Sequence, residues 1–467
     1  MTVEEKIRHW MHGREDELVE ALAPLIAAES TRSEAKPGMP FGEGPAKALD
    51  RALELARRWG FRTENHEGYV GTADLNEHAD GLHILAHLDV VGAGDGWDTD
   101  PYCLVRDGDL IYGRGTDDDK GPLVAALLAM RCVRELGIPL TKNVRLIMGT
   151  DEESGSEDIE HYYASHPFAP YSLSPDADFP VTNIEKAHYC PRFSASWKRT
   201  EAPGVRVLAL NGGIRVNVAP ANCTCLLENA DKAQLEAVLK QVSGETGVSL
   251  SAEFQGNTAK ITAVGVQAHA STPDEGKNAI TATLQALCAL PLAEGAAEET
   301  VRQLHECFPY GDNRGKAMGI AMENKVSGCL TLTFSMVHLD TEGFWGIFDS
   351  RDPLCATEEN TCRVTEARMA AFGWKCEGKL GPAHAVDGNS DFIKTLLSAY
   401  ETYTGRKGYC EAIGGGTYVH EIPGGVAFGA GEHDFDSHLH GANERARISQ
   451  LLKTAMIYAL VIGNLCA

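Results

Sequence analysis

The sequence lacks the features that mark a membrane or exported protein. Its 467 residues contain no uninterrupted run of about 18 apolar residues, the length that a membrane-spanning helix needs. The first residues are charged and do not form the apolar core of a signal peptide. From these absences we expect a chain that neither spans a membrane nor is exported.

Basic residues are scarce, and no two cysteines have the spacing of a metal or redox motif. Lysine and arginine number 42 against 66 aspartates and glutamates, which gives a formal net charge of −24. Such an acidic surface favours solubility and repels phosphate backbones and anionic lipids, so we expect no nucleic-acid or membrane partner. The 13 cysteines include no Cys-x-x-Cys pair, which predicts reduced thiols in the cytoplasm.

Repeats and low-complexity linkers are also absent, and the length predicts more than one domain. Residues 1–60 have apolar positions at helical spacing, as do residues 122–136 and 392–404. Residues 82–86 and 144–148 are apolar runs of strand length. Strands that alternate with helices predict a mostly parallel sheet covered on both faces.

The middle of the chain has a different character, with many strand-like runs and few helices. A helix is predicted from 273 to about 290, because residues 272–275 (TPDE) have the capping-box pattern with proline at the first helical position. We therefore predict a discontinuous α/β domain, residues 1–187 and 381–467, with an inserted α+β domain, residues 188–380. The strand-like runs are 205–210, 217–227, 260–266 and 330–337.

The first cluster of chemical groups is residues 87–91 (HLDVV), at the end of a predicted strand. Residues two apart in a strand face the same side, so His87 and Asp89 would point together. A metal-binding imidazole usually gives its other ring N–H to a carboxylate, which this pair could provide. The alternative for this segment taken alone is a purely structural His–Asp pair at a strand end.

The second cluster is residues 113–122 (GRGTDDDKGP). A glycine-rich loop before a helix often binds phosphate, but the Walker order of Gly-Lys followed by Ser or Thr is missing here. Three consecutive carboxylates repel phosphate and suit a cation, and one carboxylate can bridge two metal ions. The alternative is an acidic helix N-terminus, which the helix dipole stabilises.

Two further acidic segments and a histidine cluster complete the set. Residues 149–154 (GTDEES) follow a predicted strand, where one glutamate could bind metal and its neighbour act as general base. Residues 174–180 (SPDADFP) form a proline-bounded turn, and His433, His438 and His440 lie near the C-terminus. Taken alone, a solvated acidic loop explains residues 149–154 and an ordinary turn explains residues 174–180. Spacing does not prove that these segments and the histidines meet.

As a set, the motifs at 87–91, 113–115, 118–122 and 151–153 resemble the di-zinc metallopeptidase family that includes carnosinases, acetylornithine deacetylase and the PepV-type bacterial dipeptidases. The resemblance spans nearly the whole chain. It implies a catalytic domain with a mixed, mostly parallel sheet, an inserted α+β lid domain, and two zinc ions, which Mn²⁺ or Co²⁺ could replace. The implied metal ligands are His87, Asp118, Glu153, Asp176 and His440.

The resemblance also implies roles for the residues around the metals. Asp118 would bridge the two ions, and in the family the peptide bond after it is cis. Glu152 would be the general base, and Asp89 would orient His87. Because Asp117 departs from the family's usual small residue, the bridging role could fall one position to either side.

The choice among the C-terminal histidines rests on the residues that follow them. In the family the ligand precedes one residue and then Ala-Asn-Glu, as His440 does here. His438 lacks that context, so His440 is the predicted ligand.

In the predicted lid, residues 265–271 (GVQAHAS) resemble the family's lid-histidine segment. His269 would stabilise the negative charge that develops on the reacting carbonyl. Asn217 and Gly415 resemble substrate-binding positions. Arg351 resembles the arginine that holds the substrate's free carboxylate, a role suited to its forked guanidinium.

These features predict a monomeric, cytoplasmic, zinc-dependent dipeptidase that hydrolyses unblocked dipeptides with a metal-activated water. An N-acyl amino acid deacylase of the same family is the main alternative, because its members share the catalytic motifs. A non-catalytic metal- or ligand-binding relative is the remaining alternative, although the presence of all five ligands and Glu152 disfavours it.

Overall fold

The computed structural model describes residues 1–198 and 203–467, which divide into two units. The first unit is discontinuous and comprises Met1–Ile184, His384–Glu411 and Gly416–Ala467. The second comprises Glu185–Ala383 and the short segment Ala412–Gly415. Each unit has a hydrophobic core of its own, which is the mark of an independent domain.

Two helices of the first unit begin at residues whose side chains accept free backbone N–H groups. Thr2 and Glu5 form a capping box at the N-terminus, and the Ser390 side chain accepts the N–H of Ile393. The helices are Val3–Met11, Glu15–Ile26, Glu43–Arg58, Lys120–Glu135, Glu157–Tyr163, Asp391–Thr404 and Ile448–Leu465, with 3₁₀ turns at Glu152–Ser154 and Tyr418–Glu421.

The main sheet of this unit is mixed. From one edge to the other its strands are Arg62–His66, Val70–Asp74, Asn143–Gly149, Asp80–His87, Tyr171–Ser174, Val426–Ala427, Val181–Glu185 and His384–Ala385, and Cys410–Ile413 pairs beside this path. The central strands run parallel and are almost wholly buried, which explains their continuous apolar sequence. The predicted α/β class with a mixed sheet is confirmed.

Parallel pairing places the carboxyl ends of three neighbouring strands side by side, at the same end of the sheet. Asp80–His87 lies between Asn143–Gly149 and Tyr171–Ser174, and His87 is in register with Gly149. The segments that follow these strands therefore start side by side. Two small sheets lie in the same unit, one of Val105–Asp107, Leu110–Tyr112 and Arg445–Arg447 and one of Ala177–Asp178 and Ala430–Gly431.

The C-terminal helix, Ile448–Leu465, is long and apolar enough to cross a membrane by length and composition alone. The core helix of a globular protein passes the same test. This helix packs against Lys120–Glu135, and its side chains include fully buried members of the first hydrophobic core such as Ile457 and Val461. Burial against protein accounts for its apolar sequence.

The second unit is built on an antiparallel sheet with helices. The strands run in the order Ser249–Gln255, Thr258–Val264, Asn222–Glu228, Arg206–Gly212, Thr331–Leu339, Gly343–Asp352, Arg192–Ser196 and Lys375–Glu377, with Ala187–Tyr189 beside Gly343–Asp352. Two-stranded pairs join Val218–Ala219 to Ala268–His269 and Glu323–Asn324 to Gly328–Cys329. The helices are Lys232–Thr246, Ala279–Cys288, Ala296–Cys307 and Arg363–Ala371, with a 3₁₀ turn at Pro273–Glu275 and a π-helical turn at Glu358–Cys362.

One predicted helix is wrong at its start. Pro273–Glu275 is a single 3₁₀ turn, and the helix begins at Ala279. The Asn278 side chain accepts the N–H groups of Ile280 and Thr281, so Asn278 is the true N-cap. The capping-box pattern at 272–275 closes a turn instead, in which the Thr272 hydroxyl bonds the Glu275 carboxylate.

Candidate metal centre

The candidate site lies at the carboxyl edge of the main sheet, where three parallel strands end. His87 is the last residue of its strand, Glu152 and Glu153 follow Gly149, and Asp176 follows Ser174. The candidate side chains therefore follow the ends of three neighbouring strands, a common arrangement for sites in α/β proteins.

Asp118 lies between two histidines. Its Oδ1 is 2.8 Å from Nε2 of His87, and its Oδ2 is 2.9 Å from Nε2 of His440. The two histidines are separated by most of the chain, yet one carboxylate faces both. The peptide bond between Asp118 and Asp119 is cis, as the family resemblance implied.

The ligand-type side chains fall into two groups, within each of which the potential ligand atoms lie within 4.8 Å of one another. The first group is His87, Glu152 and Asp176, and the second is Asp118, Glu153 and His440. Nε2 of His87 is 3.7 Å from Oδ2 of Asp176, and Nε2 of His440 is 3.3 Å from Oε1 of Glu153. All five predicted ligands are thus brought together with Glu152.

Unsatisfied polar atoms in this cluster fit a bound cation. Nε2 of His87 and Oε1 of Glu153 are buried, and although they lie 2.8 Å from Asp118 and 3.3 Å from His440, none of their contacts with the described residues has the geometry of a hydrogen bond. Such orphaned atoms are rare in proteins unless a metal or another group satisfies them. A mixed set of imidazole and carboxylate ligands suits Zn²⁺ and related divalent metals.

The electrostatics of the cluster point the same way. Burial raises the pKa of Glu152 and of Asp176 well above their ordinary values, and neighbouring carboxylates add to the shift. Burial acts in the same direction on Asp118, but the two histidines outweigh it and hold the pKa of Asp118 well below its ordinary value. Several carboxylates crowded out of water need positive charge to remain ionised, and divalent cations supply it.

Asp89 acts mainly on the backbone of the glutamate loop. Its two carboxylate oxygens accept the N–H groups of Glu152 and Glu153, each at 3.1 Å. Nδ1 of His87 lies 3.0 Å from the Asp89 carbonyl oxygen and 3.6 Å from Oδ1 of its carboxylate. If Nδ1 donates to the carbonyl, Nε2 of His87 is left with its lone pair facing Asp118 and Asp176.

The neighbours of Asp118 have other partners. Oδ2 of Asp119 accepts the backbone N–H of His87 at 3.1 Å. The side chain of Asp117 lies beside Ser437, and burial raises its pKa to about 7. Of the three consecutive aspartates, Asp118 is the one that faces both histidines.

Glu444 holds the loop that carries Asp118, a role that sequence reasoning missed. Its fully buried carboxylate pairs with Nη1 of Arg114 at 2.7 Å. It also accepts backbone N–H groups from Gly115 at 3.0 Å, Asp117 at 2.9 Å and Asp118 at 3.2 Å. The sequence pattern that could have identified Glu444 is its position four residues after His440. That pattern served only to choose His440 over His438 as the ligand.

In the second unit, the segments of Asn217 and His269 lie together. Ala268–His269 pairs with Val218–Ala219, and the N–H of Ala270 donates to the Asn217 carbonyl at 2.9 Å. The backbone N–H of Ser271 donates to Nδ1 of His269 at 3.2 Å. Nδ1 is therefore an acceptor, which places the proton of a neutral imidazole on Nε2.

Arg351 is buried and held by several partners in the second unit. Its Nε and Nη2 donate to the two carboxylate oxygens of Asp349 at 2.6 and 2.8 Å. Its Nη1 donates to the Gly414 carbonyl at 2.6 Å and to Nε2 of His188 at 2.8 Å. The structure thus brings Arg351 to the loop that contains Gly415, and sequence reasoning missed both Asp349 and His188.

Residues 83–464 match the sequence family described as peptidase family M20/M25/M40. The chain belongs to this family. One M20-type relative, the Beta-Ala-Xaa dipeptidase of Lactobacillus delbrueckii subsp. lactis, is 31% identical over 458 residues, which are 97% of this chain and 96% of the relative. Another, YtjP of Bacillus subtilis (strain 168), carries a provisional dipeptidase name and is 32% identical over 97% of this chain and 98% of its own.

A solved structure supports the fold at lower identity. Human carnosine dipeptidase 1 superposes with a TM-score of 0.60 at 17% identity, over 99% of each chain. The predicted family and the predicted fold class are both confirmed, and as an M20 peptidase the protein is a peptide-bond hydrolase.

Proposed function

We propose that this M20 peptidase is a metal-dependent dipeptidase that hydrolyses the amide bond of unblocked dipeptides. The observation that carries the proposal is the position of Asp118, with one carboxylate oxygen toward His87 and the other toward His440. That arrangement suits a carboxylate shared by two cations. The dipeptidase names of relatives that align over almost the whole chain support the substrate class.

The proposed ligands of two zinc ions are His87, Asp118, Glu153, Asp176 and His440, and Mn²⁺ or Co²⁺ could replace zinc. When bound, such ions supply Lewis acidity and lower the pKa of a water molecule toward 7. Orphaned buried atoms on His87 and Glu153 support this ligand set. The Asp89 carboxylate accepts the backbone N–H of Glu153 and so helps to position the loop that presents this ligand.

Glu152 is the proposed general base. Burial raises the pKa of its carboxyl group well above the ordinary value, which makes its carboxylate a better proton acceptor near neutral pH. Its backbone N–H donates to Asp89, and this fixes where the side chain starts. Glu152 takes a proton from the attacking water and later gives it to the leaving amine.

The proposed substrate contacts come from the second unit. His269 is a suitable donor to a developing oxyanion, because its Nδ1 accepts the Ser271 N–H and its proton therefore sits on Nε2. Arg351 would attract the free carboxylate of a dipeptide, with Asp349 holding the guanidinium in one orientation. Asn217 and Gly415 complete the set of proposed substrate-binding positions.

The test is hydrolysis of a dipeptide panel by zinc-loaded protein, with N-acetylated counterparts and tripeptides alongside. We expect unblocked dipeptides to be cleaved fastest. We expect Glu152→Gln to reduce turnover by about 10²-fold or more, since general acid–base catalysis typically contributes about 10²–10⁴-fold. Faster cleavage of the N-acetyl compounds would support an N-acyl amino acid deacylase instead. Zinc binding without any hydrolysis would support a non-catalytic relative.

We also propose that the protein is a cytoplasmic monomer. All 13 cysteines are free thiols, which supports a reducing compartment. Light scattering after gel filtration should give a mass near 50.3 kDa. A mass twice as large would overturn the monomer.

A further inference from the structure

We propose that Asp158 and Tyr418 are positioning residues for residues 150–153, the loop that carries Glu152 and Glu153. This deepens the proposed function and presupposes the roles given there to the two glutamates. The sequence assigned no individual role to Asp158 or to Tyr418, and neither is a proposed metal ligand.

Asp158 is fully buried, and both of its carboxylate oxygens accept hydrogen bonds. Oδ2 accepts the backbone N–H of Thr150 at 2.5 Å and of Asp151 at 3.0 Å. Oδ1 accepts the N–H of Ile159 at 2.7 Å. A buried carboxylate with charge-assisted bonds to backbone N–H groups fixes those groups more firmly than a neutral acceptor would.

Tyr418 adds the remaining donor. Its hydroxyl donates to Oδ2 of Asp158 at 2.5 Å, and its ring meets the His87 ring edge-on with centroids 6.2 Å apart. Gly149 makes this approach possible, because a Cβ there would lie 1.9 Å from the Tyr418 hydroxyl oxygen and 2.5 Å from Oδ2 of Asp158. Because Gly149 has no side chain, the Tyr418 hydroxyl can pass the end of strand Asn143–Gly149 and reach Asp158.

Two carboxylates share the loop between them. Asp158 holds the N–H groups of Thr150 and Asp151, and Asp89 holds those of Glu152 and Glu153. Four consecutive amides are thus fixed, two by each carboxylate. Because a displacement of about 1 Å at a reacting group can cost on the order of 10²-fold in rate, loss of the Asp158 anchor should act on turnover.

The test measures kcat, KM and bound zinc in Tyr418→Phe and Asp158→Asn. Tyr418→Phe keeps the packed ring and removes only the hydroxyl, so we expect kcat to fall about tenfold with KM within about twofold and both zinc ions retained. Asp158→Asn removes the negative charge and replaces one of the two accepting oxygens by an NH2 donor, so the bonds to the backbone N–H groups weaken and we expect a fall in kcat of about 10²-fold. The double variant should be no slower than Asp158→Asn, because the hydroxyl acts through Asp158.

Tyr162→Phe is the matched control. Tyr162 is buried in the same apolar cluster as Tyr418, but its hydroxyl bonds Nη1 of Arg145 at 3.1 Å rather than the loop. We expect this variant to keep kcat within about twofold of the parent. A general cost of losing a buried hydroxyl would lower kcat in both tyrosine variants and would contradict the proposal.

The outcomes separate this inference from the function beneath it. If Tyr418→Phe has the parent kcat while Glu152→Gln is inactive, the positioning role is wrong and the proposed function stands. If Glu152→Gln keeps full activity, the proposed function itself fails. Independent, multiplicative losses in the double variant would also overturn the coupling of Tyr418 to Asp158.

Discussion

At the scale of single residues, the site depends on side chains that act through backbone amides. Asp89, Asp158 and Glu444 each accept two or more main-chain N–H groups from loops that carry proposed ligands or the proposed base. Such partners typically cost 10–100-fold in metal affinity or activity when mutated, although they touch no metal. The residue scale therefore yields a prediction that does not depend on the substrate.

We predict that Glu444→Gln weakens zinc binding by about 10–100-fold, because a neutral amide holds the Asp118 loop less firmly and leaves the buried Arg114 without its counter-charge. Competition with a chromogenic chelator measures the affinity. Glu432→Gln is the control, since Glu432 is also buried and ion-paired, with Arg406 and Lys453, in the same unit. Equal zinc affinity in the Glu444 variant and the parent would remove Glu444 from this role.

The sequence showed the ligand-type residues and Asp89, but it did not show the anchoring roles of Glu444 and Asp158, for a physical reason. His87, Asp118 and Glu153 stand in compact motifs whose residue types are themselves chemical. The bonds that Glu444 makes to the Asp118 loop join residues about 330 positions apart, and no local pattern announces a bond between a carboxylate and distant amides. Asp158 and Tyr418, which are 260 residues apart, were missed for the same reason.

At the scale of elements, apolar runs and helical spacing predicted much of the secondary structure. The helix expected at 392–404 is Asp391–Thr404, and the strand expected at 144–148 is Asn143–Gly149. The helix expected to begin at residue 273 does not begin there. Instead, the Thr272 and Glu275 side chains bond each other across a single 3₁₀ turn, which ends at Gly276. A capping-box pattern states which groups can pair, and the rest of the fold decides whether a helix continues from them.

The true cap gives a prediction at this scale. Asn278→Ala should lower the free energy of unfolding by about 1 kcal/mol, because the N–H groups of Ile280 and Thr281 lose their acceptor. Urea unfolding followed by circular dichroism measures the change. Thr272→Ala is the matched control and should cost less, since the Thr272 side chain bonds only at an exposed turn. A larger loss of unfolding free energy in Thr272→Ala than in Asn278→Ala would support the helix start that the sequence predicted.

At the scale of the whole molecule, the metal-free protein should hold a proton that bound metal displaces. Burial alone would lower the pKa of His440, but the Asp118 and Glu153 carboxylates outweigh it and raise that pKa to about 11. In an unfolded chain the pKa of histidine is about 6.5. Because folding raises the pKa of His440, its protonation stabilises the metal-free fold. This stabilisation is complete below about pH 6.5 and is lost as pH rises toward the raised pKa. Metal-loaded protein carries no proton on this ligand and escapes that loss.

The gap in melting temperature between zinc-loaded and chelator-treated protein should therefore widen as pH rises from 7 to 9. Differential scanning calorimetry at both pH values measures the gap, and added zinc should restore the loaded value. His440→Ala should make this difference in melting temperature smaller and less dependent on pH. His438→Ala should leave both unchanged, because Nδ1 of His438 bonds the Ala442 carbonyl at 3.0 Å and the residue belongs to neither ligand group. A gap that shrinks with rising pH would show that protons and metal do not compete at His440.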